Sequence, residues 1–432
     1  MNKLNFSIKD GIRNFKAEMR RISRQDPNIM VFVVYGLLYD VVMNLYKPFA
    51  LKFLDRMGGT EIHISLYNSL PGIAAVLALL PGSIFISRFQ AKKNVTSVFF
   101  AISRAFILMF IIVPFCPQFS RAMLFVLLVS GVNFFDAISQ TSLQAFLGEN
   151  FNGFTRATAI SLRNKFGNMF LLIVTLVTGL LITIIPKTDG QRILLYQIFF
   201  AAAFVCGVFE IFVFRKLKEK QTEGKYTEKD TRPTMKTALL TLSDKKFKKY
   251  LALTILFYFS WHVGWPIGGV IQIKTLGANE MWLVAIAVAS GLASFFAASH
   301  WAKIIRKKSN DFALFLAVAG IALNSFMYAF APNMFAMTIA NAVGGAMSIG
   351  VNIALLNGLL AATPDKDRVV YIAVYNTLVN VSLGLSPFVS MFLMSALSAR
   401  GAMTVVGMVR IVVSLVLLAD YLKNEKGITV NP

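Results

Sequence analysis

Three polar residues share one face of the first long apolar segment, residues 28–55. Asp40, Asn44 and Lys47 are spaced i, i+4 and i+7, so a helix places them in one stripe. Asp40 lies roughly 12 residues into the segment, about 18 Å along a helix axis. An ionisable side chain at that depth of an apolar segment is costly and is therefore a functional candidate. A carboxylate here could bind and release a proton.

A second polar stripe follows the apolar segment 121–147. Asn133, Asp136 and Gln140 recur at helical spacing, and Asp136 is the second carboxylate that could carry a proton. The alternative for both acids is structural, as a buried ion pair or a hydrogen bond between helices. The sequence thus gives Asp40 and Asp136 as candidates for proton coupling, with Asn44, Lys47, Asn133 and Gln140 as candidates for contact with a solute.

Arg104 and Arg410 are the other two basic residues within apolar segments, and they are further candidates for a solute cavity. Arg104 can reach Asp136 if their segments are adjacent, and such a pair would hold Asp136 in its charged form. An Asp40 without a cationic partner would take up a proton more readily, so Asp40 is the first choice for coupling. Glu210 and Asp420 lie near the ends of their segments and are expected at the membrane interface.

Aromatic residues cluster in the segment 249–274. Trp261 and Trp265 are one helical turn apart and flank His262. An aromatic face with a few polar atoms suits an organic solute, while the alternative is ordinary packing or an interfacial aromatic belt. His262 could titrate near neutral pH or act as a hydrogen-bonding residue. Asn352, in a later apolar segment, completes the set of cavity candidates.

Composition defines the elements that must position these residues. The chain has 432 residues and a formal charge of +22, yet 56% of it is hydrophobic and only 15% is charged. That apolar content excludes a soluble nucleic-acid-binding protein and a disordered chain, so no nucleic acid is expected as a partner. Two cysteines outside any C-x-x-C pair give no disulfide framework and no thiolate metal site. The composition predicts a multi-pass membrane protein.

Twelve segments are long and apolar enough to span a bilayer as helices. Their apolar runs are continuous, which excludes the alternation of barrel strands. The predicted fold is an all-α integral membrane protein with two pseudo-symmetric six-helix bundles. The spans lie near residues 28–55, 64–86, 95–115, 121–147, 158–185, 193–214, 249–274, 280–302, 311–331, 334–361, 371–398 and 402–422.

The predicted units follow from these spans. They are a basic N-terminal segment (1–27), a first bundle (28–214), a basic central loop (215–248), a second bundle (249–422) and a tail (423–432). Apolar residues recur at steps of three and four between Ile8 and Ile22, which predicts an amphipathic helix on an anionic lipid surface. A solvated basic tail is the alternative.

The distribution of Lys and Arg predicts the orientation. With the N-terminus inside, 33 of the 43 basic side chains fall in inner segments or at inner span ends and seven in outer segments or at outer span ends, and three (Lys47, Arg104 and Arg410) lie deeper within spans. Positive residues are enriched on the cytoplasmic side of membrane proteins. We therefore expect both termini in the cytoplasm, a location in the cell membrane and an anionic inner leaflet as the lipid partner. A monomer is expected.

The two halves look related. Asp26 and Asp244 precede the first span of each half, and Pro48 and Pro266 share their offset of 218. The run that starts at Gly58 matches the run that starts at Gly277 at an offset of 219. Arg156, Asn164 and Asn168 match Arg368, Asn376 and Asn380 at an offset of 212. Four matches in the same order predict a duplicated six-helix unit.

Twelve spans, cytoplasmic termini, a 6+6 repeat and a basic central loop together resemble the major facilitator superfamily of secondary transporters. The family's basic loop between the second and third helices has a counterpart in residues 82–93, where Arg88 and Lys92 match the pattern. Ser87 stands where the family has an acid and Gln90 where it has a glycine. The resemblance implies alternating access around a cavity lined by helices 1, 4, 7 and 10, with Arg88 and Lys92 as candidates for a cytoplasmic gate.

The leading hypothesis is a secondary active transporter of a small organic solute, coupled to protons, with a slight preference for efflux. Uptake or uniport of a polar or anionic metabolite remains open, since Lys47, Arg104 and Arg410 could meet an anion. A sensor or scaffold that moves nothing is the alternative from another class. No metalloprotease, hydrolase or Walker motif is present in the sequence, so we expect no enzyme, no metal and no cofactor.

Overall fold

The computed structural model describes residues 26–87, 92–151, 153–218, 239–364 and 368–430, and within these ranges the chain is helical without strands. The amphipathic segment predicted around Ile8 to Ile22 lies outside the described residues, as do residues 219–238 of the central loop. Nine helices of the described ranges are long and apolar enough to cross a membrane. This agrees with the expected multi-pass membrane protein.

The first half of the chain contains six long helices. They are α1 (Pro27–Asn44), α2 (Glu61–Ser87), α3 (Lys92–Met109), α4 (Gln118–Asn150), α5 (Gly153–Ile184) and α6 (Asp189–Arg215). After Asn44 the first span continues as a 3-10 turn, Lys47–Phe49, and a short helix, Ala50–Arg56. Pro48 has no N–H to continue the α-helical ladder, which accounts for the change of helix type at this point.

The second half contains α7 (Lys245–Val270), α8 (Glu280–Lys307), α9 (Asn310–Phe330), α10 (Met334–Ala362) and the stretch Arg368–Val430. This last stretch breaks at Ser398, whose φ is 64°, and we call its two parts α11 and α12. The helix continues to Val430, beyond the predicted end at 422. Residues 423–426 include two lysines and a glutamate, which are good helix formers, and no proline.

Side-chain caps mark where several helices begin. The Asp26 carboxylate accepts from Asn28 N–H at the start of α1, and Asp244 accepts from Lys246 and Phe247 N–H at the start of α7. Each oxygen satisfies an N–H that has no partner inside its helix. The pair that the repeat relates at an offset of 218 therefore has the same local role in both halves.

The helix contacts repeat between the halves. In the first half α2 and α3 pack against α4, α1 packs against α5 and α6, and α3 packs against α6. In the second half α8 and α9 pack against α10, and both α7 and α9 pack against the stretch Arg368–Val430. Gly58 and Gly277 are the two glycines of the described residues with positive φ, at 83° and 64°. The two runs that the sequence matched at an offset of 219 therefore each begin with a turn at a glycine of positive φ.

Two helix pairs make the most extensive contacts between the halves. The α2–α11 crossing is close enough for Ser69 Oγ to donate to Gly384 O at 2.5 Å. The α5–α8 crossing places Gly179 against Val284, where a Cβ on the glycine would collide with the valine. Gly179 and Val284 lie near the ends of their helices, on the side that the charge pattern predicts to be extracellular. We call this side the predicted extracellular side.

Candidate functional site

Asp40 on α1 forms an ion pair with Arg163 on α5. Arg163 Nη2 lies 2.7 Å from Asp40 Oδ1, and the two side chains keep 27% and 17% of their surface exposed. A Cβ at Gly167 would collide with the Asp40 carboxylate, and one at Gly36 would collide with Arg163. Two glycines therefore make room for the pair. Asp40 therefore has a cationic partner on α5, and the condition under which the sequence made it the first choice for coupling, the lack of such a partner, is not met.

Arg104 on α3 is fully buried and holds two acids. Its Nε and Nη2 donate to Glu210 Oε2 and Oε1 at 2.9 Å each, and its Nη1 lies 3.4 Å from Asp136 Oδ1. The expected Arg104–Asp136 pair is present, but Glu210 makes the closer, two-pronged contact. The interfacial position expected for Glu210 is wrong, since its side chain is 0% exposed. Gly207 lets Arg104 lie across α6 and reach it.

Tyr39 connects the two ion-paired groups. Its hydroxyl donates to Asp136 Oδ2 at 2.8 Å. The guanidinium carbons of Arg104 and Arg163 lie 5.4 and 5.9 Å from its ring centroid, within the range of cation–π attraction. One network thus joins four helices of the first half to α1. We call it the first-half charge network, and its members are Tyr39, Asp40, Arg104, Asp136, Arg163 and Glu210.

The remaining first-half candidates contribute less to this network. Asn44 Nδ2 donates to Asp40 O at 2.7 Å and Asn133 Nδ2 to Val129 O at 2.8 Å, so both amides bond to their own helices. Lys47 is exposed and lies in the 3-10 turn. It therefore does not share one continuous helical face with Asp40 and Asn44, which the spacing had predicted. Gln140 is half-buried on α4.

A cavity of about 350 Å³ lies in the second half. We call it the Arg410 cavity, after its one charged lining side chain within the described residues. Helices α7 to α10 and α12 line it together with Leu51 of the first half, and of the predicted residues it brings together Trp261, Trp265 and Arg410. Its other polar lining residues are Gln272, Ser290, Ser294, Asn324, Ser325, Tyr328, Asn341 and Ser348.

Two of the predicted second-half residues lie elsewhere. His262 is 3% exposed and its Nδ1 is 3.1 Å from Ser382 Oγ, so it joins α7 to α11 instead of lining the Arg410 cavity. Asn352 is exposed on α10 and does not line that cavity. His262 thus has the hydrogen-bonding role that was its alternative.

The predicted extracellular side carries an ion-pair cluster between the halves. Arg56 Nη2 lies 2.8 Å from Glu280 Oε1, and its Nη1 lies 2.7 Å from Asp189 Oδ1. Lys274 Nζ lies 2.5 Å from Asp55 Oδ1. We call these five residues the outer cluster. Sequence reasoning missed it, although Asp55 and Lys274 share the repeat offset of 219 that relates Gly58 to Gly277.

The predicted cytoplasmic gate, Arg88 and Lys92, falls largely outside the residues that the structure describes. Arg88 lies outside the described residues, and for Lys92 only the helical backbone is described.

Metal ligation was not expected, and the described ranges contain no cluster of three or more His, Cys, Asp or Glu side chains suited to a metal ion.

Residues 30–358 match the family profile of the Major Facilitator Superfamily. No curated protein sequence matches the chain at a significant level. Among solved structures, a single-site mutant of the nucleoside transporter NupG superposes with a TM-score of 0.70 at 10% identity, covering 91% of this chain and 99% of that one.

Two further solved structures share the fold. A bacterial homolog of the human lysosomal transporter Spinster, inward-facing and unoccupied, gives a TM-score of 0.64 at 12% identity over 91% of this chain and 95% of that one. A POT family transporter in complex with a thioalcohol-conjugated peptide gives 0.62 at 12% identity, over 91% and 96%.

Proposed function

Because this chain belongs to the major facilitator superfamily, we propose that it moves a small organic solute across the cell membrane by alternating access, driven by the proton gradient. The family makes it a multi-pass membrane transporter and not an enzyme. The proposed architecture is the predicted pair of six-helix bundles, 28–214 and 249–422, with cytoplasmic termini. A monomer facing an anionic inner leaflet is part of this proposal.

Small organic solutes are supported as a class by the similar structures. One is a nucleoside transporter and another is a POT family transporter in complex with a peptide. At 10–12% identity these neighbours share the fold with this chain, and they do not identify its solute. The common property of nucleosides and short peptides is that both are polar molecules of modest size.

The Asp40–Arg163 ion pair carries the proposal of proton coupling. It joins α1 to α5 within the predicted spans, and both side chains remain partly exposed. The Arg104–Glu210 pair is sealed, with 0% exposure of both side chains. Water can therefore deliver a proton to Asp40 far more easily than to Glu210. Asp136, held by Arg104 and Tyr39, is the second candidate.

Protonation of Asp40 would change how α1 contacts α5. Arg163 is the charged group that faces Asp40 from α5, and Gly167 contacts the same carboxylate. A neutral Asp40 loses the Coulomb attraction to the guanidinium, so the contact weakens. A movement of α1 relative to α5 in response to protonation is what coupling to alternating access requires.

Uptake of a polar or anionic metabolite is the second candidate, and the Arg410 cavity favours it. The slight preference for efflux rested on Asp40 and on the aromatic residues of α7. The structure places Trp261 and Trp265 beside amides, hydroxyls and a guanidinium. This lining suits a polar solute better than a lipophilic cation.

Purified protein in proteoliposomes tests the proposal. A solute library is first scanned for thermal stabilisation, and the stabilising solutes are then assayed for flux under an imposed pH gradient. We expect Asp40→Asn to lose the response of flux to the gradient. Asp311→Asn, which removes a carboxylate from the first turn of α9, is the matched control and should keep it.

Three outcomes contradict parts of the proposal. An Asp40→Asn protein with an undiminished gradient response would refute coupling through Asp40. Flux through the wild-type protein that does not change with the pH gradient would indicate a uniporter instead of a proton-coupled transporter. A solute that stabilises the protein but never moves would favour a sensor.

A further inference from the structure

Arg410 is a buried cation with neutral partners. It lies 12 residues after the break at Ser398, or about 18 Å along α12, and is 4% exposed. Its Nε and Nη2 donate to Ser260 O at 3.3 and 3.2 Å, and Nη2 also donates to Trp261 O at 3.0 Å. Its Nη1 donates to Ser325 Oγ at 2.6 Å. None of these acceptors carries a charge.

The contrast with Arg104 is informative. Both guanidiniums are buried near the middle of their helices, but Arg104 contacts two carboxylates while Arg410 has no ion pair among the described residues. An isolated buried charge is unfavourable because it loses hydration without gaining an opposite charge. Arg410 therefore lacks the neutralising partner that the first half provides for its own arginine.

One donor of Arg410 is left for a ligand. A guanidinium has five N–H groups, and the four hydrogen bonds to Ser260, Trp261 and Ser325 occupy four of them. The remaining hydrogen is on Nη1. Gly264 has no side chain to cover the group, and a Cβ there would collide with Nη2. Arg410 thus lines the cavity with an available positive charge.

Neutral donors accompany this charge. Gln272 Nε2 donates to Tyr328 Oη at 3.4 Å, and Asn341 Nδ2 donates to Met337 O at 2.8 Å. Each amide nitrogen has two hydrogens, so each retains one. The Tyr328 hydroxyl itself donates to Asn341 Oδ1 at 2.5 Å. The cavity wall therefore offers N–H donors around one cation and, among its lining residues, no carboxylate.

One face of the wall, formed by two tryptophans and three glycines, suits a flat apolar body. Trp261 and Trp265 pack edge-to-face, with ring centroids 5.9 Å apart, and Trp265 is 44% exposed. The glycines at 264, 268 and 269 expose helix backbone beside them. A volume of about 350 Å³ is at the lower end of ligand pockets, which span about 300–1,000 Å³. A molecule with one or two fused rings is the appropriate size.

We propose that the Arg410 cavity binds a small organic monocarboxylate with a flat apolar body, whose carboxylate neutralises Arg410 while its ring lies against Trp265. One guanidinium without a second cation selects a monoanion over a phosphate dianion. This names the solute class of the proposed transporter and so rests on that function, but binding to the purified protein can be measured without transport.

The experiment uses benzoate and indole-3-acetate as probes and their amides, benzamide and indole-3-acetamide, as neutral isosteres. Binding to the full chain in detergent is measured by calorimetry and thermal shift. We expect each carboxylate to bind about tenfold to a hundredfold more tightly than its amide, the range for a hydrogen-bonded charged group. Arg410→Met should abolish this preference, and Arg121→Met, a guanidinium at the start of α4, should keep it.

Ser325→Asp gives an independent test if Arg410→Met does not fold. Ser325 Oγ already accepts from Arg410, so the substitution supplies an internal carboxylate at that contact. We expect Ser325→Asp to lose carboxylate binding and Ser243→Asp, which adds the same carboxylate at an exposed position before α7, to retain it. Equal binding of acids and amides by the wild type, or a preference that survives in Ser325→Asp, would overturn the site.

Flux measurements separate this proposal from the transport proposal. One outcome is that carboxylates bind in a manner that depends on Arg410 but are not transported into proteoliposomes. This supports the binding site and contradicts the proposed transport function. Flux of a solute that is unaffected by Arg410→Met supports the transporter and rejects the site.

Discussion

Lys274 Nζ lies 2.5 Å from Asp55 Oδ1, and these two residues occupy matching positions in the two halves of the chain. Their offset of 219 is the one that relates Gly58 to Gly277, and both glycines have positive φ. When a twofold axis relates two halves, residues at matching positions lie on opposite sides of that axis. They can contact each other only where both are close to it. The pair therefore joins the halves at the centre of the predicted extracellular side, where Arg56 and Glu280 also meet.

Lys274→Gln should loosen the predicted extracellular side. Ser348 lines the Arg410 cavity, so Ser348→Cys, with Cys116 and Cys206 replaced by serine, reports access through that side. A partly exposed ion pair contributes about 0.2–1 kcal/mol, so labelling by an impermeant maleimide from outside should rise up to about fivefold.

Lys52→Gln is the matched control for this experiment. Lys52 Nζ contacts the same Asp55 carboxylate at 3.0 Å, but from within the same short helix, so its loss should change the labelling much less. The exchanged double variant Asp55→Lys, Lys274→Asp should return labelling to the starting rate. Equal effects of the two lysine variants would show that the bond between the halves is unimportant.

Gly384→Val should open the same side by separating α2 from α11. A Cβ at Gly384 would lie 2.8 Å from Ile73 Cγ1, well inside van der Waals contact, and the Ser69 Oγ bond to Gly384 O would be lost. We expect faster labelling of Ser348→Cys. Gly190→Val is the control, because a Cβ there meets no atom within 4 Å. Unchanged labelling in Gly384→Val would mean that this crossing does not hold the side closed.

Gly167→Ala should destabilise the protein through Asp40. The new methyl group would collide with the carboxylate that binds Arg163, and overpacking of this kind costs about 1–3 kcal/mol. The same substitution in an Asp40→Ser background should cost much less, because the colliding oxygen is gone. Thermal unfolding in detergent measures both, with Gly190→Ala as the neutral control. If the losses of stability from Gly167→Ala and Asp40→Ser simply add, the new methyl group does not collide with the Asp40 carboxylate.

The features that could be predicted from the sequence are those set by neighbouring spans or by the internal repeat. Arg104 and Asp136 lie on consecutive spans, and their ion pair follows from adjacency. The repeat matched Asp26 with Asp244 before the first span of each half, and in the structure each caps the helix that follows it. The membrane class follows from continuous apolar runs. Each of these inferences uses information that is local in the chain or repeated within it.

The partner of Asp40 was not predicted because Arg163 lies near the predicted inner end of its span and was counted among the inner basic residues. A long arginine side chain can enter a helical interface where small residues face it, and Gly36 and Gly167 provide that space. Positions of glycines on opposing helices were the available signal. Glu210 was misplaced for the same reason, since Gly207 brings Arg104 across to it.

The outer cluster and the Arg410 cavity depend on tertiary contacts that one sequence does not contain. Arg56 meets Glu280 from 224 residues away, and pairing charges over that separation requires the relative position of the two halves. Trp261 and Trp265 were predicted as an aromatic face, but Tyr328 and Asn341 reach the same cavity from α9 and α10. Polar residues spread over several helices leave no spacing pattern.

Glu210→Gln should be the most destabilising single change in the first-half charge network. It would leave the buried Arg104 guanidinium with one carboxylate partner, Asp136, at 3.4 Å, and with an uncharged amide in place of its close, two-pronged partner. Removing one partner of a buried ion pair typically costs about 3–5 kcal/mol.

Asp136→Asn is the matched comparison for that change. It removes the longer contact to Arg104 and keeps the two 2.9 Å bonds to Glu210. Tyr39 can still donate to an amide oxygen at that position, so this variant should cost less than Glu210→Gln. Thermal and denaturant unfolding of the purified protein measure the difference. A larger loss in Asp136→Asn would mean that Tyr39 and Asp136, rather than Glu210, stabilise Arg104 in the interior.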